Sequence, residues 1–120
     1  MAKGDDLEDR LIDFAVQVIE ISERLPDTRA GRHVAGQMLR SGTAAAPHYG
    51  EARGAESRRD FVHKLRIGLK ELNESRVWLK ITRKSGMLPA EEIEPVLSEC
   101  EELCRILSAS IQTASRGQSQ

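Results

Sequence analysis

The side chains best suited to metal or nucleophilic chemistry are Cys100, Cys104, His33, His48, His63 and the pair Glu71 and Glu74. A zinc site draws its Cys and His ligands from close sequence intervals, and no histidine here lies at ligand spacing from the cysteines. A paired-metal site in a helical bundle needs Glu-x-x-His on each of two helices plus two further glutamates. Glu71-Leu72-Asn73-Glu74 keeps the spacing but lacks the histidine, so it reads as surface charge. Cys100 and Cys104 stand four residues apart. On a helix they share one face, too constrained for a relaxed disulfide, and they read as small core residues in a reducing cytosol. Neither G-x-x-x-x-G-K nor G-x-G-x-x-G occurs, so the usual phosphate cradle is missing. These residues predict no enzyme, no metal and no cofactor.

The elements that must carry any site are helices. Hydrophobic residues make up 39% of the chain and aromatic ones only 3%, which calls for an aliphatic core of Leu, Ile, Val and Ala. Sheets favour β-branched and aromatic residues, so helix packing suits this composition better. Leu7, Leu11, Phe14, Ala15, Val18, Ile21 and Leu25 recur at steps of three and four, the period of one helix face. Pro26-Asp27 ends that helix. A second helix from near Thr28 turns Val34, Ala35, Met38, Leu39, Gly42, Ala45 and Ala46 inward. Its small-residue middle admits a close neighbour, and Pro47 predicts a kink or an early end. Ser57 is an N-cap for a third helix carrying Phe61, Leu65, Gly68, Leu72, Ser75 and Leu79, with Gly86 as its stop. Pro89 sits in the first turn of a fourth, followed by Glu91, Glu92 and Glu94.

The spans are about 7–25, 29–53, 57–85 and 89–115, with a frayed tail over 117–120. Short breaks between long amphipathic helices predict an all-α, antiparallel up-down-up-down four-helix bundle, a single domain over 1–120. The acidic start is unlike a signal peptide, and no run approaches the roughly 20 apolar residues of a membrane span. The expected location is the cytoplasm.

A net charge of −1 hides a strong asymmetry. Residues 26–88 hold 13 Lys and Arg against 6 Asp and Glu, while the rest hold 5 against 13. A bundle of this order has a basic side and an acidic side. Arg59, His63, Arg66, Lys70, Asn73, Val77, Lys80 and Lys84 follow alternating steps of four and three along the third helix. Arg29, Arg32 and Arg40 add charge from the second. Three readings compete: a solvated face, a head-to-tail contact between copies, and binding of an RNA or DNA backbone. Ile67, Trp78 and Ile81 lie off the main core stripe and either offer an apolar seam for the contact between copies or widen the core. Only Tyr49 and Trp78 offer stacking surfaces, which argues against sequence-specific single-strand binding.

The segment Leu39-Arg40-Ser41-Gly42-Thr43-Ala44-Ala45-Ala46-Pro47-His48-Tyr49-Gly50-Glu51-Ala52 carries a further signal. So do Asp60-Phe61, Lys64 to Glu71, Trp78-Leu79 and the ending Ile106-Leu107-Ser108-Ala109-Ser110-Ile111. Together they resemble the bacterial four-helix-bundle proteins encoded by intervening sequences within large-subunit ribosomal RNA genes. The likeness spans nearly the whole chain, with Pro47-His48 standing where the family pattern has Ala-Asn before the tyrosine. It implies a ring-shaped homopentamer without an established catalytic activity. A more distant resemblance, to the pentameric accessory protein of diversity-generating retroelements, extends to a nucleic-acid role by analogy of fold alone. The expected function is thus a ring-forming scaffold or binding module. Its alternative is a nucleic-acid-associated accessory protein using Arg59, Arg66, Lys70, Lys80 and Lys84.

Overall fold

A computed structural model describes residues 4–118. Within them the chain is all-α, with no strand. The helices are α1 (Asp5–Arg24), α2 (Arg29–Gly42), α3 (Ala45–Arg53), α4 (Arg58–Ser85) and α5 (Ala90–Gln118). Helices α2 and α3 are the two halves of the second expected helix, so the chain has four helical arms, one of them broken.

Local chemistry sets most of the boundaries. Thr28 accepts a hydrogen bond from the Gly31 N–H at 3.0 Å, and Ser57 accepts one from Asp60 N–H at 3.0 Å, capping α2 and α4. Gly86 ends α4 at φ 75°, a left-handed conformation that glycine adopts without steric cost. Pro89 falls one residue before α5 rather than inside its first turn. The expected tail is helical through Gln118, and residues 119 and 120 lie outside the described residues.

The break in the second arm lies within the expected span of 29–53, one turn ahead of the kink expected at Pro47. Proline at position 47 returns no N–H to the Thr43 carbonyl, and its ring crowds that oxygen. The helix therefore opens at Thr43-Ala44, one turn before the proline, and restarts as α3. The Thr43 hydroxyl closes the end of α2 by donating to the Leu39 carbonyl at 2.7 Å.

One aliphatic cluster joins all the helices. Phe14 and Val18 of α1, Met38 of α2, Ala45 of α3, Leu65 and Leu72 of α4, and Ile93 and Leu103 of α5 are at most 1% exposed. Burying a Leu or Phe side chain contributes roughly 1.5–3 kcal/mol, against roughly 0–1 for an exposed ion pair. The core therefore holds the fold, and the surface ion pairs only tune it. Phe61 is half-buried rather than central, and Leu39 is 38% exposed, contrary to its expected inward position. Ser41 takes the buried place instead, meeting Ser75 of α4 at 3.0 Å between hydroxyls.

Small residues set the helix spacing. A Cβ at Gly42 would lie 2.5 Å from Val18 Cγ1, so α2 passes α1 at a distance only glycine allows. Residue pairs that bridge the arms are Arg10 with Glu99, Arg24 with Glu92, Arg53 with Asp5, Lys64 with Glu51, and Arg83 with Glu94. Among the described residues no helix is long and apolar enough to cross a membrane.

Candidate functional site

Helix α4 positions the basic stripe. It is 28 residues long, about 42 Å, and its inner face is spent on Val62, Leu65, Gly68, Leu72, Ser75, Leu79 and Thr82, all buried. The opposite face must then meet solvent. It carries Arg59, His63, Arg66, Lys70, Asn73, Val77 and Lys84, all exposed, with Lys80 half-buried at its edge. Among the described residues, Arg59, Arg66, Lys70, Lys80 and Lys84 make no ion pair.

Arg40 is different. Its guanidinium lies 3.1 Å from Glu71 and also pairs with Glu74, strapping α2 to α4. Glu74 accepts a second bond, from Trp78 Nε1 at 3.0 Å, and the Trp78 ring meets His33 edge-on with centroids 5.9 Å apart. These carboxylates are occupied by a cation of the chain itself, and Arg40 is committed within the chain. The structure thus brings Arg59, Arg66, Lys70, Lys80 and Lys84 together on one helix and leaves Arg40 apart from them.

Of the three expected apolar seam residues, Ile67 and Trp78 are half-buried and Ile81 is 38% exposed. Val77 joins Ile81 one turn away at 47% exposed. Tyr49 is buried, so it offers no stacking surface. Sequence reasoning passed over a second apolar stripe on α1. Ile12, Val16 and Ile19 are 45%, 46% and 42% exposed, on the face opposite Phe14 and Val18. Exposed Asp9, Asp13, Glu20 and Glu23 border it. The signal was present in the spacing, since positions 12, 16 and 19 repeat the helical period a second time.

The thiols and imidazoles are dispersed. Cys100 is buried and donates to the Leu72 carbonyl at 3.3 Å; Cys104 is half-buried, 3.7 Å from Asn73 Oδ1. The neighbouring Cys104 thiol, and then burial, pushes Cys100 up, while the neighbouring Cys100 thiol holds Cys104 below the usual thiol range. His48 packs over Gly68, and its buried Nδ1 has no hydrogen-bond partner. Among the described residues no three His, Cys, Asp or Glu side chains stand where they could hold a metal ion. An open groove of about 880 Å³ lies where the α3–α4 connection faces the end of α5, with Ala52, Ala55, Phe61, Ile106, Ala109 and Ala114 in its walls.

Known proteins place this arrangement. Six chains of solved structures match it. One is a protein of unknown function from the S23 ribosomal protein family of Bacteroides thetaiotaomicron. It is 32% identical with a TM-score of 0.82, and the match covers 87% of this chain and 96% of that one. No curated protein matches. The model of the 23S rRNA-intervening sequence proteins matches residues 7–109. Those residues run from the first leucine of α1 into the last third of α5 and take in both the broken arm and the basic stripe, and the chain belongs to that family.

Proposed function

We propose that this protein is a non-enzymatic, single-domain scaffold or binding module of the cytoplasm that assembles into a ring of five copies. In this reading its arms form an antiparallel up-down-up-down bundle. The bridging pairs between the first and last arms support that order, because partners on α1 rise in number as those on α5 fall: Arg10 with Glu99, then Arg24 with Glu92.

One observation carries the assembly reading. Arg10, Arg24, Arg40, Arg53 and Arg83 each meet a carboxylate of the chain, whereas the five cations of the α4 stripe meet none among the described residues. Two apolar side chains, Val77 and Ile81, stand among those unspent cations. A purely solvated face has no use for them, and a contact between copies does. Light scattering at low and high salt tests the reading. A mass near five times 13.4 kDa that falls as salt rises is expected, because exposed charge pairs are screened. A monomer at every salt overturns it.

The second reading is a nucleic-acid-associated accessory protein, favoured by the same five unpaired cations strung over about 38 Å of helix. Neutralising Arg66 and Lys70 together separates the two. Loss of assembly supports the contact between copies. Intact assembly, with RNA or DNA binding that weakens and loses salt dependence, supports the accessory role.

A further inference from the structure

The outward stripe of α1 and the outward stripe of α4 are complementary in both charge and apolarity. Ile12, Val16 and Ile19 recur at i, i+4 and i+7 and run for about 10 Å along α1. Their borders are Asp9, Asp13, Glu20 and Glu23, none of them in an ion pair among the described residues. Val77 and Ile81 on α4 are bordered by Lys70, Lys80 and Lys84, equally unpaired. Helix α1 packs against α2, α3 and α5, and so does α4. The two helices therefore stand diagonally across the core, and their outer faces look to different sides of the molecule.

We infer that the α1 face, through Ile12, Val16 and Ile19, docks on the α4 face of a second copy, through Val77 and Ile81. This rests on the assembly reading and specifies its contact. Pairing α1 with α1 would bring two sets of carboxylates together, and pairing α4 with α4 two sets of cations; like charges in register cost free energy in both cases. Only α1 against α4 matches acid to base while covering both apolar stripes. The contact is heterologous, so every copy uses one face and offers the other, and a chain of such contacts satisfies all of its faces only by closing.

The test uses two surface variants of the full-length chain, Val16→Lys and Ile81→Glu, with helicity checked by circular dichroism. Both sites are exposed, so each variant is expected to keep its helix signal and to fall to the 13.4 kDa mass of one chain. Mixed in equal amounts, they are expected to regain a mass of two chains or more, since the intact α4 face of the first meets the intact α1 face of the second. An assembled wild type with either variant still assembled overturns this contact and leaves the assembly reading standing. Loss of assembly in both without recovery on mixing also overturns it, because a head-to-tail contact must be rescued. A monomeric wild type fails the assembly reading itself. If that monomer binds duplex RNA and loses it on Ile81→Glu, the α4 face belongs to nucleic acid.

Discussion

Two glycines of α2 are expected to respond oppositely to the same substitution. Gly36 is exposed in mid-helix, with nothing within 4 Å of where a Cβ would stand. Alanine there removes the backbone entropy penalty of glycine, worth about 0.8–1 kcal/mol. Gly42 closes the same helix, and a Cβ there would come within 2.9 Å of three side-chain carbons of Val18. Valine is branched at Cβ and fully buried, so it has no rotamer into which to retreat, and the helices must part. Overpacking of this kind costs about 1–3 kcal/mol, against a propensity gain below 1 at a helix end. Gly42→Ala is therefore expected to lose about 1–2 kcal/mol and Gly36→Ala to gain about 1. Urea titration followed by helix ellipticity, at one fixed protein concentration, reads both. The midpoints should separate by about 1 M or more for an m-value of about 1.5–2 kcal/mol per molar. Adding Val18→Ala should restore at least about 1 kcal/mol of the Gly42→Ala loss relative to additivity. A Gly42→Ala midpoint at or above wild type, or strict additivity with Val18→Ala, refutes the claim that glycine sets the distance between α1 and α2.

Three further outcomes are expected. Ser57→Ala removes the side-chain cap of α4 and should cost about 1 kcal/mol, read as a lower thermal midpoint at unchanged helix content. Cys104 should react with iodoacetamide far faster than buried Cys100, since thiolate is the reacting form and Cys104 is held below the usual thiol range. Cys100→Ala removes the neighbouring thiol that holds Cys104 low, so the alkylation profile of Cys104 should move to higher pH; an unmoved profile contradicts the coupling.

The helices were legible because their signals are local. Pro26, Ser57 and Gly86 act on the turn they occupy, and the stripe from Leu11 to Leu25 states its own face. Pro47 was legible as a disturbance, but its effect falls on the carbonyl four residues earlier, which moved the break to Thr43-Ala44. Leu39 and Ser41 traded places because packing at a close crossing rewards small size over hydrophobicity. A leucine at the buried spot would collide with α4, while two serines satisfy each other there. Five of the six basic residues singled out stand on one face, as periodicity alone requires. The commitment of Arg40 to Glu71 and Glu74 is a contact across 31 and 34 residues, which no local pattern encodes. The second stripe of α1 was visible in the letters but undecidable, since a helix with two apolar faces shows which one is outside only once its neighbours are in place.

The connections between successive helices are four residues or shorter, and that bears on the order in which the molecule comes together. The pairings of α1 with α2, α3 with α4 and α4 with α5 join neighbours in the sequence and close small loops, while α1 must find α5 across 89 residues to set Arg10 on Glu99. Loop entropy grows with that separation, and contacts remote in sequence are the slow ones to form. The seam between α1 and α5 is thus the natural last step of folding and the first to open. Until it closes, the acidic stripe of α1 is held only by the packing of α1 on α2 and α3. In the assembly reading, this makes closure of each chain the clock that releases it to its neighbours.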